Sequence, residues 1–162
     1  MYERILVPID GSPTSDAGLA EAMKLAKLTG ARLRLLHVVD EMPFLMSEGY
    51  GAMSADIFDL LKGAGREILE GGRARVEAAD IAVDATLFDS LSGRLCERVE
   101  AEAKAWNADL VVIGTHGRRG VRRMLLGSDA EQVVRSTLLP VLLIRGTEIG
   151  ASNPPAVSRA GA

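Results

Sequence analysis

The most constraining feature of this sequence is residues 109–131, where a short apolar run breaks into a loop that contains glycines. The run 110–113 is too short for a helix and is typical of a buried strand. Gly114 and Gly117 follow it, and Gly127 opens a new periodic segment. Glycine accommodates positive φ and lets the backbone approach a ligand closely. A strand end beside a helix start leaves backbone N–H groups for an anion, so this stretch predicts a phosphate site.

The rest of the chain alternates strand and helix patterns, which predicts one α/β domain over residues 1–146. We expect an open five-stranded parallel sheet with helices on both faces. Ser12 is expected to cap the first helix, with Pro13 in its first turn and Gly30 at its end. Residues 147–162 lack periodicity and are interpreted as a flexible tail. The predicted strands are 3–9, 31–39, 83–87, 110–113 and 141–144, and the predicted helices are 13–29, 55–79, 95–106 and 131–137.

Charge and cysteine content disfavour several classes of protein. A formal net charge of −3 and a pI near 5.5 argue against general affinity for nucleic acid or anionic membranes, so neither is expected as a partner. The single cysteine, Cys96, permits no intramolecular disulfide and disfavours a thiolate metal cluster. There is no signal-peptide pattern, and no apolar run approaches the roughly 18 residues of a membrane span. We therefore expect a soluble cytoplasmic protein.

The glycine spacing matches neither common nucleotide fingerprint. Gly114, Gly117, Gly127 and Ser128 give G-x2-G-x9-G-S, which is neither a P-loop nor the G-x-G-x-x-G of dinucleotide folds. Together with VVIGTHGR and the opening ILVPIDGS, it resembles the universal stress protein family over residues 2–146. The resemblance implies an adenine nucleotide alpha hydrolase-like, Rossmann-like fold. It also implies ATP as the cofactor, with Mg²⁺ as a candidate companion, because family members with this pattern bind ATP.

The resemblance also implies where the nucleotide binds. Asp10 would hydrogen-bond the adenine at the point where the first and fourth strands meet. The backbone at Val38 or Val39 would add to adenine recognition, and Pro8 would line the ribose. From the residues alone, Asp10 can instead serve only its own turn. The predicted cofactor-binding residues are Pro8, Ile9, Asp10, Val38, Val39, Gly114, His116, Gly117, Arg118, Gly127, Ser128, Asp129 and Ala130.

Residues at the start of the last helix allow opposing interpretations. Ser128 and Glu131 match a capping box, in which the serine hydroxyl accepts from the Glu131 N–H and the glutamate reaches back. The same hydroxyl can instead bind phosphate. Asp129 departs from the neutral residue of many nucleotide-binding relatives. Its carboxylate stabilises the helix start but competes with an anionic ligand, or it helps to hold Mg²⁺.

Two further segments each have two interpretations. Four arginines between residues 118 and 123 form either a solvated basic loop or a guanidinium clamp over the triphosphate. His116 lies beside them and is more typical of a tolerated loop residue than of a phosphate ligand. Residues 40–54, which contain three methionines, form either a lid over the ligand or a mobile connection.

The sequence favours binding over catalysis. Its two histidines, His37 and His116, assemble no Ser–His–Asp or Cys–His arrangement, and Asp10 and Asp129 are the only evident bases for hydrolysis. The first hypothesis is a dimeric ATP-binding module of stress response that acts on an unknown protein partner. It would pair with a second copy through an apolar edge strand at Val141–Ile144. The alternatives are a stress-induced interaction protein that binds no nucleotide and a slow ATP hydrolase.

Overall fold

The computed structural model describes residues 1–39, 55–89, 94–115 and 127–145. Within these ranges five strands alternate with four helices. None of the described helices has both the length and the apolar character needed to cross a membrane. The strands are β1 (Arg4–Pro8), β2 (Arg32–Val38), β3 (Val83–Phe88), β4 (Leu110–Gly114) and β5 (Val141–Ile144), and the helices are α1 (Pro13–Thr29), α2 (Ala55–Glu77), α3 (Leu95–Trp106) and α4 (Ser128–Ser136).

The five strands form one parallel sheet in the order β3-β2-β1-β4-β5. Ile5, Leu6 and Val7 of the central strand β1 are fully buried because helices cover both faces of the sheet. The strand order reverses between β1 and β4, so the chain leaves these neighbours on opposite sides and a crevice opens at their carboxyl ends. The predicted open parallel α/β sheet is confirmed.

Two hydrophobic clusters cover the two faces of this sheet. Successive strand residues point to opposite faces, so Ile5 and Val7 pack with α1 and α2 while Leu6 packs with α3 and α4. Trp106, at the end of α3, packs against the second cluster. The Arg34 guanidinium lies over its ring, with Cζ 4.7 Å from the ring centroid. The face of β2 that carries Arg34 is therefore partly polar.

The predicted limits of α1 are confirmed. Ser12 has extended backbone, and its Oγ accepts a hydrogen bond from the Ser15 N–H (3.2 Å), while Pro13 occupies the first turn. Gly30 ends the helix at φ 73°, a left-handed conformation that strains glycine least. Because the cap lies only four residues after β1, it also fixes the chain at the carboxyl end of that strand.

Two of the glycines in α2 face the sheet. A Cβ on Gly65 would lie 2.8 Å from His37 Cδ2, and one on Gly72 would lie 2.9 Å from Ile9 Cδ1. A Cβ on Gly63 or Gly71 would meet no described atom within 4 Å. Gly65 and Gly72 thus let the backbone of α2 pack directly on the side chains of β2 and of the residue after β1.

Candidate functional site

The crevice lies where β1 and β4 run side by side. The two strands pair in register, Ile5 with Leu110 and Leu6 with Val111, and their carboxyl ends meet at the same edge of the sheet. Asp10 follows β1, and Thr115 follows β4. The first turn of α1 lies against the end of β4, because a Cβ on Gly114 would be 2.8 Å from the Thr14 carbonyl oxygen.

Two hydrogen bonds within the turn after β1 fix the position of Asp10. The Asp10 Oδ1 accepts a hydrogen bond from the Ser12 N–H (2.9 Å), and the Asp10 N–H donates to the Ser15 Oγ (3.2 Å). Gly11, between them, has φ 76°. Asp10 therefore has a role in its own turn, and this role is compatible with ligand binding because a carboxylate accepts more than one hydrogen bond.

The end of β2 offers fewer backbone groups than predicted. The Val39 N–H donates to the Phe88 carbonyl (2.9 Å) and so already pairs with β3. Val39 and Pro8 are buried, whereas Val38 is half-buried. Any recognition of adenine at Val39 must therefore use an atom other than its N–H.

Gly114 has a packing role that the sequence did not reveal. Thr14 fills the position that a side chain on Gly114 would need, with its carbonyl oxygen 2.8 Å and its carbonyl carbon 2.9 Å from the ideal Cβ. The glycines that the structure describes at positive φ are Gly11 and Gly30, so positive φ does not explain Gly114 or Gly127. Close packing of α1 is by itself sufficient to require a glycine at position 114, whether or not the loop binds phosphate.

The start of α4 differs from the predicted capping box. Gly127 is the N-cap, with φ −61° and ψ 147°, and its carbonyl accepts from the Glu131 N–H (2.9 Å). The Gly127 N–H donates to the Thr115 carbonyl (2.8 Å). This bond ties the helix start to the end of β4 and makes Ser128 the first helical residue. The helix therefore begins three residues before the predicted position 131, and no side chain caps it.

Backbone amides in the first turn of α4 remain available within the described ranges. No described group accepts a hydrogen bond from the N–H of Ser128, Asp129 or Ala130. Ser128 and Asp129 are exposed, and Gly127 places no side chain over the helix end. Such amides, together with the helix dipole, form an anion-binding arrangement. The Asp129 carboxylate lies in the same turn and opposes a second negative charge.

Several predicted site residues lie outside the described residues. His116, Gly117, Arg118 and the other loop arginines belong to this group, as do residues 40–54 and 147–162. Of the predicted site, the structure describes the parts contributed by β1, β2, β4 and α4. Among the described residues, no three of His, Cys, Asp or Glu cluster as metal ligands.

Another carboxylate at the strand ends is paired within the protein. Asp89, after β3, forms an ion pair with Lys62 of α2 at 2.9 Å. The hydrogen bond from Lys62 and its positive charge lower the pKa of Asp89. Asp89 therefore stays ionised beside its own cation.

Sequence reasoning missed two side chains near the crevice. Ser15 is buried, and its Oγ accepts a hydrogen bond from the Asp10 N–H. Its position in the first turn after the helix cap Ser12 could have indicated such a contact. His37 is buried at the end of β2, and its Nδ1 lies 2.7 Å from the Ile9 carbonyl oxygen. Nothing in the local sequence indicates that contact, because it joins two strands.

A separate cavity of about 230 Å³ lies between α1 and α2. Its apolar wall includes Ile9, Leu19 and Ile68, and Asp16 and Arg75 form an ion pair at its rim (2.7 Å). It shares Ile9 and Gly11 with the turn after β1 but lies on the face of the sheet opposite α4. The geometry of the helix start, and not this cavity, therefore locates the candidate anion site.

Comparison with known proteins gives one consistent family. The model of the universal stress protein family matches residues 1–145. The chain is 33% identical over 145 residues to universal stress protein MJ0531 of Methanocaldococcus jannaschii, covering 90% of this chain and 83% of that protein. It is 32% identical over 151 residues to universal stress protein YxiE of Bacillus subtilis, covering 90% of this chain and 100% of that protein.

Solved structures share the fold. A protein of the universal stress protein family from Burkholderia pseudomallei has a TM-score of 0.71 at 32% identity, over 88% of this chain and 96% of that one. A universal stress protein in complex with cAMP has a TM-score of 0.63 at 21% identity, over 90% and 98%. The universal stress protein from Archaeoglobus fulgidus in complex with dAMP also has a TM-score of 0.63 at 21% identity, over 88% and 98%.

Proposed function

We propose that this chain, which belongs to the universal stress protein family, binds ATP at the crevice between β1 and β4. In this proposal Asp10 accepts a hydrogen bond from the adenine, and the first-turn amides of α4 bind the phosphates. The nucleotide-bound dimer would then act on a protein partner in stress response. The cytoplasm, where ATP is abundant, is the proposed location.

One observation carries this proposal. The helix that follows the β4 loop begins with an N-cap glycine and has first-turn amides with no described acceptor, at the reversal point of the sheet. An adenine nucleotide supplies anionic oxygens for such amides and a base for the neighbouring strand ends. The complexes of two proteins of the same fold with cAMP and dAMP support the same ligand class.

Replacing Gly127 by valine is expected to weaken Mg-ATP binding by about tenfold or more, because the side chain covers the amides that phosphate needs. The backbone at Gly127 has φ −61° and ψ 147°, which valine also adopts, so the fold should persist. Isothermal titration calorimetry measures the affinity, and thermal unfolding checks the fold. An unchanged dissociation constant in a folded Gly127→Val protein contradicts the assignment.

One further variant is a control for that measurement, and a second tests the charge at the helix start. Gly63→Ala adds a Cβ on α2 that would meet no described atom within 4 Å, and it should leave ATP affinity unchanged. Asp129→Asn should strengthen ATP binding severalfold, because it removes a negative charge from the turn that receives the phosphates. If Asp129 instead holds Mg²⁺, the same variant weakens binding only when the metal is present.

A dimer through β5 belongs to the proposal. β5 is the last strand of the sheet, its four residues are half-buried, and the side chain of Leu138 just before it is fully exposed. Sedimentation at micromolar concentration should give the mass of a dimer, and Leu138→Glu should shift the protein towards monomer. Leu28→Glu alters a comparably exposed leucine on α1 and should not. A wild-type monomer under these conditions overturns the dimer.

The second candidate function is an interaction protein that binds no nucleotide. It is favoured by the hydrogen bond from the Gly127 N–H to the Thr115 carbonyl, because this amide, which the phosphate site would need, already donates to the protein itself. Denaturing freshly purified protein and analysing the released small molecules by mass spectrometry distinguishes the two. Absence of adenine nucleotide, with no binding of Mg-ATP, selects the interaction protein. Phosphate released over hours, and lost in Asp10→Asn, would instead indicate slow hydrolysis.

A further inference from the structure

His37 links the end of β2 to the end of β1. It is buried, and its Nδ1 lies 2.7 Å from the Ile9 carbonyl oxygen. A carbonyl oxygen only accepts hydrogen bonds, so Nδ1 carries a proton and donates it. The contact therefore places a proton on Nδ1 and ties the side chain to the backbone just after β1.

Ile9 is held by β2 at both of its backbone groups. Its N–H donates to the Leu36 carbonyl (2.8 Å), and its carbonyl receives the His37 hydrogen bond. The next N–H, that of Asp10, donates to the Ser15 Oγ (3.2 Å). Since the Ile9 carbonyl and the Asp10 N–H belong to one planar peptide group, the imidazole and Ser15 together set the orientation of that group. The direction in which the Asp10 side chain leaves the backbone follows from it.

The helix α2 holds the imidazole from the other side. A Cβ on Gly65 would lie 2.8 Å from His37 Cδ2 and 3.2 Å from Nε2, and 2.9 Å from Leu87 Cδ1. His37 and Leu87 are register partners in β2 and β3. The backbone of α2 therefore packs against this pair, and the His37 ring has little room to rotate away from Ile9.

We propose that His37 is a positioning residue that aims the Asp10 carboxylate at the base of the bound nucleotide. This inference rests on the proposed ATP function. A carboxylate accepts hydrogen bonds, and the exocyclic amino group is the donor that adenine offers. His37 thus controls discrimination between adenine and a base that carries a carbonyl at the same position, although it need not touch the ligand.

Affinities for ATP and ITP test this role, because ITP replaces the adenine amino group by a carbonyl. His37→Leu should weaken ATP binding about tenfold and leave ITP binding nearly unchanged, so that base selectivity falls by about the same factor. His37→Asn places an amide N–H near the position of Nδ1–H and should restore most of the selectivity. A histidine that only fills the core predicts equal weakening for both nucleotides in both variants, and that result overturns the proposal.

Amide hydrogen exchange in the nucleotide-free protein separates this proposal from the ATP function. In His37→Leu the Asp10 and Ser12 amides should exchange several times faster than in wild type, while the Val99 amide in α3 stays unchanged; His37→Asn should show a smaller effect. Unchanged exchange at Asp10 overturns the positioning role, even if ATP binds. Faster exchange in a protein that binds neither nucleotide supports positioning of Asp10 and refutes the ATP function.

Discussion

Replacing Gly114 by alanine should lower the free energy of unfolding by about 2–3 kcal/mol, because the new methyl group enters space that backbone atoms occupy. Its Cβ would lie 2.8 Å from the Thr14 carbonyl oxygen and 2.9 Å from the Thr14 carbonyl carbon. Gly18 of the same helix is also close, since a Cβ there would be 3.4 Å from the Gly114 nitrogen. The helix therefore cannot accept the methyl group by moving one flexible side chain. Chemical denaturation with a two-state fit measures the loss.

Gly71→Ala is the matched control for this change. Gly71 lies on the exposed surface of α2, where an added Cβ meets no described atom within 4 Å. Alanine there should raise the free energy of unfolding by about 0.5–1 kcal/mol, because it restricts the unfolded chain more than glycine does. A Gly114→Ala protein as stable as wild type would show that α1 and β4 can separate at no cost.

The sequence predicts the sheet well because its strongest signals are local. The apolar run through Ile5, Leu6 and Val7 can be buried only between two helical layers. Ser12 and Gly30 mark the ends of α1 by their own backbone preferences. These features need no knowledge of distant residues, and the structure confirms them.

The candidate site is less predictable because long-range contacts decide its details. Ser128 and Glu131 satisfy the capping-box pattern, yet Gly127, whose N–H donates to the Thr115 carbonyl, is the N-cap, so Ser128 is the first helical residue and has no capping role. Gly114 reads as part of a phosphate loop, but Thr14, far away in sequence, is sufficient to require a glycine there. Contacts of this kind appear only after the topology brings β1, β4 and α1 together.

A polar network between β2, β3 and α3 was also invisible in the sequence. The buried Glu102 carboxylate accepts from Arg34 Nη1 (2.8 Å) and from Thr86 Oγ1 (3.3 Å). Arg34 reaches Asp84 at 3.3 Å and stacks on Trp106, but its Nε has no partner among the described residues. The Arg34 side chain is 22% exposed and that of Glu102 only 10%. Removing either charge alone should therefore lower the free energy of unfolding.

Glu102→Ala should lower the free energy of unfolding by about 2–3 kcal/mol. This is less than the loss for a fully buried ion pair, since Arg34 keeps Asp84 and some contact with water. The alanine variant leaves the Arg34 charge with only the more exposed Asp84 as its partner, and this weaker compensation is the main cause of the loss. Denaturant unfolding measures it, with Glu100→Ala on the exposed side of α3 as the control, which should change stability by less than about 0.5 kcal/mol. Equal effects of the two alanines would contradict a role for the network in stability.

The double variant Arg34→Met, Glu102→Leu separates the net contribution of the ion pair to stability from the stability lost when only one partner is removed. Both charges are then absent, the volumes are nearly kept, and methionine can still pack on Trp106. Asp84 retains Arg32, at 3.7 Å, and its side chain is 40% exposed, so it tolerates the loss of Arg34. We therefore expect the double variant to regain most of the stability that Glu102→Ala loses. If it is instead as unstable as Glu102→Ala, the pair itself stabilises the fold, and the attraction between its two charges fully offsets their desolvation free energy.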